Sequence, residues 1–233
     1  LVCHEVFLNK KISEIKFLWF IFFAITMSIN MFITGGRAGQ VMFFASLGVL
    51  IFQFFKQSQI KATIVSAIVI SVIIIAGYNY SPLFKNRIQQ ISYDLALFTT
   101  NPDTSIGHRI NFTKNTFELI KSSPFIGVGT GDFPAEYTKV NLKNTPTARP
   151  TVQPHNQYLF IQAQLGIVGL IAFLWVFYVQ FQLAFASKNQ FIHHAGVALP
   201  FLFLIIMLSD TYLLGHFTSN LYILFSSFIY SNK

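Results

Sequence analysis

Four positions carry side chains whose type and setting suit chemistry. Arg37, in Thr34-Gly35-Gly36-Arg37-Ala38-Gly39, is the single charge between Lys16 and Lys56. A guanidinium is always charged and grips phosphate with two parallel N–H bonds. The flanking glycines let a ligand or backbone come close. The alternative is an arginine that snorkels at the tip of a helical hairpin. His155, in Pro154-His155-Asn156-Gln157-Tyr158, offers an imidazole that can accept a proton near neutral pH. Its alternative is an interfacial histidine bonded to water or backbone. Arg109, in Gly107-His108-Arg109-Ile110-Asn111, is either a second phosphate-binding cation or a solvated loop arginine. Asp210 is a lone acid that either pairs with a base or is solvated.

Gly127-Val128-Gly129-Thr130-Gly131 has the look of a phosphate-cradling loop. Its G-x-G-x-G spacing is not a dinucleotide fingerprint, so turn geometry is the better explanation. Other chemistries find no support. There is no H-E-x-x-H, no Cys/His cluster and no paired acids, so no metal site is expected. There is no Walker A sequence for ATP. His193 and His194 are adjacent, so they should not share a helical face, and they fall in an expected cytoplasmic turn. No dense Lys/Arg stripe with interleaved aromatics points to nucleic acid. Cys3 is the only cysteine, which excludes a disulfide scaffold.

What must position these residues is a membrane. Of 233 residues, 53% are hydrophobic and only 10% charged, with mean hydropathy +0.55. No acid occurs from Ile15 to Tyr93, nor from Tyr137 to Ser209. Such stretches read as bilayer-embedded. The expected class is all-α, a polytopic α-helical membrane protein with about six transmembrane helices. The apolar segments are Phe17 to Thr34, Ala38 to Phe55, Ala62 to Tyr78, Gly166 to Ala186, Ala195 to Leu208 and the shorter Phe217 to Tyr230. A short helix from Asn156 can lead the fourth. This divides the chain into three parts: 1–78 with three spans and a short outer turn at Arg37, a large loop over 79–155, and 156–233 with the remaining spans.

Basic residues in short loops fix orientation. Lys10, Lys11, Lys16, Lys56, Lys61, Lys188 and Lys233 fall on one side if the spans alternate, so that side is cytoplasmic. Arg37, the 79–155 loop and the turn near Asp210 fall on the other. The loop carries eight Lys/Arg and five Asp/Glu, but loops of that length are largely exempt from the rule. It is punctuated by prolines and expected to hold a helix or two, best over Ser105 to Lys121. The chain starts at Leu1 without a recognisable signal peptide, and reads as the C-terminal part of a longer membrane protein.

His155-Asn156, then nine residues, then Gly166, two residues and Gly169 form the pattern H-[NSQ]-x9-G-x-x-[GTY]. It resembles the signature of the O-antigen ligase family of membrane glycosyltransferases. Gly107-His108-Arg109 with the block from Ser123 to Phe133 is similar to that family's loop. Arg37 resembles the arginine of its R-x3-L turn, although Val41 stands here in place of Leu. The resemblance covers roughly residues 17 to 214. It implies a glycan transferred from an undecaprenyl diphosphate carrier to an acceptor hydroxyl on the periplasmic face of the bacterial inner membrane. It also implies no metal, no nucleotide sugar and no cofactor.

On that resemblance Arg37 and Arg109 stabilise the departing diphosphate. His155 serves the acceptor as a base or a hydrogen-bond orienter. Asn156 orients His155 or binds sugar. Gly166 and Gly169 allow helix packing, the simpler role, or break the helix so that His155 and Asn156 point into a cleft. The partners implied are the lipid-linked donor, lipid A core or another glycan or protein as acceptor, and the bilayer. Ending at Lys233 soon after the last span favours a ligase or polymerase over a protein O-oligosaccharyltransferase. A polysaccharide or lipid transporter or flippase is the alternative from another class, but it would place ionisable residues near the midplane.

Overall fold

The computed structural model describes residues 14–33, 36–98 and 103–231. These residues form helices and no strands. In chain order they are α1 (Glu14–Ile33), α2 (Arg37–Phe54), α3 (Gln59–Tyr80), α4 (Pro82–Leu97), α5 (Ser105–Ser122), α6 (Phe133–Asn144), α7 (Gln157–Ala186), α8 (Gln190–Ile206) and α9 (His216–Tyr230). Each expected apolar span falls on one of α1, α2, α3, α7, α8 and α9.

Small polar residues start most of these helices. Ser58, Ser81, Thr104, Asn156 and Asn189 each accept a hydrogen bond from a first-turn amide of α3, α4, α5, α7 and α8. Pro82 opens α4 at a position where a missing N–H costs nothing. It also forces Ser81 into extended backbone (φ −110°, ψ 104°), so α3 ends there and the chain turns. The loop expected over 79–155 is therefore largely helical, made of α4, α5 and α6.

α3 and α7 are long and apolar enough to cross a bilayer, while α2 and α8 are apolar but shorter. On α3, Ile60, Ile64, Ile68, Val72 and Ile75 form an exposed stripe at helical spacing. On α7, Val168, Ile171, Trp175 and Tyr178 are exposed in the same way. Continuous apolar surface of this extent is costly in water and free in hydrocarbon.

Two cores hold the C-terminal half. Phe112, Leu119, Ile120, Phe133, Tyr137, Leu159 and Ala163 pack α5, α6 and the first part of α7 together. Phe177, Met207 and Tyr222 join α7, the end of α8 and α9. Between α5 and α6 lies a buried polar hub. Asn115 Nδ2 donates to Asn141 Oδ1 (3.2 Å), Thr145 Oγ1 (2.8 Å) and the Tyr137 hydroxyl (3.3 Å). Asn141 Nδ2 in turn donates to Ala148 O at 2.8 Å and fixes the chain that leads to His155.

α2 packs against α8. Gln53 Nε2, near the end of α2, donates to His194 O, near the start of α8, at 3.0 Å. The two helices therefore run antiparallel, and the Arg37 end of α2 lies toward the Ile206 end of α8.

Candidate functional site

The segment 155–158 is clamped to the turn between α8 and α9 residue by residue. His155 Nδ1 lies 3.1 Å from Asp210 Oδ1. Asn156 Nδ2 donates to Leu208 O at 3.2 Å. The Gln157 amide donates to Met207 O (2.9 Å), and its side-chain Oε1 accepts from the Leu213 amide (3.1 Å). The Tyr158 hydroxyl donates to Leu204 O. The sequence leaves Asp210 open between a pairing and a solvated role. The structure makes it the partner of His155, 55 residues away.

His155 has φ +52°, the one left-handed non-glycine backbone among the described residues. Such a conformation costs of order 1–3 kcal/mol and persists only where the surroundings impose it. Here the Asp210 contact and the ring of Phe112 do so. The imidazole lies nearly parallel to Phe112, with centroids 5.8 Å apart and 23° between planes. His108 lies against the same phenyl ring at 5.9 Å and 14°, and its Nε2 is 2.9 Å from Asp103 Oδ1.

This geometry selects a tautomer. A carboxylate only accepts hydrogen bonds, so Nδ1–H of His155 donates to Asp210 and the neutral ring carries its lone pair on Nε2. The side chains of His155 and Asp210 are 30% and 32% exposed, so a ligand can reach them. Asp210 Oδ1 also accepts from the Thr211 amide at 2.8 Å, which fixes the carboxylate.

Arg109 is exposed on α5 and comes to this end of the molecule. Its charge acts on Tyr212, as does that of Asp210. Burial, opposed by a hydrogen bond with Ser209, raises the Tyr212 phenol above its ordinary range, so it stays a neutral donor. Sequence reasoning missed Tyr212 and Phe112; the only local signal was the position of Tyr212 two residues past Asp210.

Arg37 does not sit in the turn between α1 and α2. It is the first residue of α2, after Gly36 as an N-cap with no side-chain cap. The uncapped amides and the positive end of the helix dipole suit an anion there. The Arg37 side chain lies outside the described residues.

Asn156 is taken up by the fold. Its Oδ1 accepts from the Tyr158 and Leu159 amides (3.0 and 3.1 Å) while Nδ2 holds Leu208. It thereby caps α7 and ties the start of that helix to the end of α8.

Gly166 breaks α7, with φ 65° and ψ −166°, where simple packing is the expected role. The helix bonds lost at the break are made across to the glycine-rich loop. Ile167 and Val168 amides donate to Pro124 O and Phe125 O, and Ala163 O and Gln164 O accept from the Val128 and Gly129 amides. The Gly131 amide donates to Gln164 Oε1 at 2.8 Å. The Gly127–Gly131 run is thus a set of turns with its glycines at positive φ, and three of its amides, those of Val128, Gly129 and Gly131, are spent on α7. A Cβ on Gly169 would meet Leu165 Cβ at 2.2 Å, so the second glycine clears the tightened turn. Among the described residues no group of three His, Cys, Asp or Glu could hold a metal ion.

A family model described as O-antigen ligase matches residues 22–174. The match contains Arg37, Arg109, His155, Asn156, Gly166 and Gly169 and stops short of Asp210. An uncharacterised protein of Haemophilus influenzae is 27% identical over 172 residues, covering 70% of this chain. The chain spans 43% of the length of that relative.

Proposed function

The chain belongs to the O-antigen ligase family, and from that premise we propose that it transfers a glycan from undecaprenyl diphosphate to an acceptor hydroxyl, with lipid A core as the acceptor. Family membership brings a membrane glycosyltransferase of ligase or polymerase type. On our reading it acts without a metal, through six spans, on the periplasmic side of the inner membrane.

The observation that carries the reading is the His155–Asp210 pair at 3.1 Å beside the Arg109 charge. The acceptor oxygen attacks the anomeric carbon as the bond from that carbon to the diphosphate oxygen breaks. The acceptor proton passes to His155 Nε2, and Asp210 stabilises the imidazolium that results. The diphosphate leaves with its negative charge, and Arg37 and Arg109 receive it. Two arginines supply the charge that a divalent ion supplies elsewhere, so transfer is expected to continue in excess EDTA.

Deletion of the full-length gene tests the acceptor. Loss of long chains from lipid A core, with polymer retained on the carrier, supports the ligase reading. Single-repeat products instead identify a polymerase, and unmodified glycoproteins a protein transferase.

A further inference from the structure

The end of the bundle away from His155 carries a second feature that the transfer reaction does not use. α2, the start of α3, the end of α7 and α8 enclose a groove of about 630 Å³. Gly48, Val49 and Phe52 of α2 face Val197 and Phe201 of α8 along it. Lys56, Gln59, His193 and His194 line its mouth. The two histidines thus do share a surface: they lie in the first turns of α8, both line the groove, and their rings are 5.3 Å apart. This mouth is at the start of α8, whereas His155 is held at its end. At 1.5 Å per residue the length of α8 separates them by roughly 25 Å.

Charge narrows the occupant. None of α2, α3, α7 and α8 contains an acidic residue. Lys56 therefore has no carboxylate on any helix that lines the groove. Asn189, beside the mouth, is spent on capping α8. His193 Nδ1 donates to Ala184 O at 3.1 Å, so its neutral ring turns the Nε2 lone pair, not an N–H, outward. The mouth thus offers one cation, Lys56, with no acid on the helices that line the groove, while the walls are largely hydrocarbon.

We propose that this groove holds one anionic phospholipid of the surrounding bilayer. Its phosphate sits at Lys56, and an acyl chain runs between α2 and α8. A zwitterionic phospholipid would bring its ammonium beside Lys56 with no acid to receive it. The apolar walls exclude water, which a free phosphate would carry in with it.

Native mass spectrometry of the purified, delipidated full-length protein tests this with added phosphatidylglycerol and phosphatidylethanolamine. Wild type should retain phosphatidylglycerol in preference. Lys56→Gln should weaken that adduct about fivefold, the usual effect of one basic residue near an anionic lipid. Gly48 lines the groove and a Cβ on it would meet nothing within 4 Å, so Gly48→Phe is the variant that directs bulk into the groove. It should abolish the adduct while Lys56 remains. Equal retention of both lipids, displacement of phosphatidylglycerol by inorganic phosphate, or an unchanged adduct in Gly48→Phe would each overturn the assignment. So would a photo-crosslinker at Val197 that captures another part of the protein instead of lipid.

Discussion

Gly127 and Gly166 each lie backbone to backbone against the residues just before the other. A Cβ on Gly127 would stand 2.3 Å from Gln164 C, and a Cβ on Gly166 would stand 2.1 Å from Phe125 O. Both residues have positive φ, 71° and 65°. Through this crossing loop and helix exchange four backbone hydrogen bonds across the break in α7. It also separates the start of α7, which belongs to the core with α5 and α6, from residues 167–186. That remainder is about 20 residues, the length that a hydrocarbon core requires.

Gly166→Ala and Gly127→Ala should each destabilise the protein by about 3 kcal/mol or more, combining left-handed strain with a backbone clash. Gly131→Ala is the control. It has φ 89° but open space around its Cβ, so it should cost only about 1–2 kcal/mol. Thermal unfolding of the purified variants measures the order. Equal costs for all three would remove the clash from the account.

The sequence is legible where physics is local. Hydrophobic runs bounded by Gly and Lys locate α1, α2, α3 and α9, and the His155–Asn156 pattern locates the start of α7. Pro82 and Pro134 mislead, because a proline reads as loop punctuation when its place is the first turn of a helix. α4 and α6 are lost for that reason. The Asp210 partnership is invisible because it joins residues 55 apart through the turn after α8. The role of Gly166 stays open until the carbonyls it frees are seen to find partners in the 124–129 loop.

Asp210→Asn should leave the fold intact and lower transfer by on the order of 10²–10⁴-fold, because an amide no longer enforces the Nδ1–H tautomer. The loss should fall on kcat with KM nearly unchanged. Steady-state kinetics of the full-length variant decides, and a change confined to KM would make Asp210 a binding residue.

Burial raises the Tyr137 phenol above its ordinary value of 10.0, against a hydrogen bond with Asn115 that lowers it. The folded state therefore holds the phenolic proton more tightly than the unfolded chain. The stabilisation is complete below pH 10.0 and is lost as pH rises through the folded-state value. Alkaline unfolding followed by tyrosinate absorbance should show this, and Tyr137→Phe should reduce the dependence while costing about 1 kcal/mol at neutral pH. An unchanged alkaline limb in Tyr137→Phe would assign it to another group.

Thr130 is exposed at the tip of the glycine-rich loop. With Cys3 replaced, Thr130→Cys should react with a membrane-impermeant thiol reagent added outside intact spheroplasts. Protection from outside and labelling only after lysis would reverse the proposed orientation.

The most direct measurement is single-turnover transfer by the purified full-length protein, from polyprenyl-diphosphate-linked glycan to its acceptor, with His155→Ala and His155→Gln beside wild type. Both variants should bind the donor as wild type does and form no product above background, whereas Arg109→Ala should lose donor affinity. Product at the wild-type rate from either His155 variant would contradict the claim that this imidazole, held by Asp210, takes the acceptor proton.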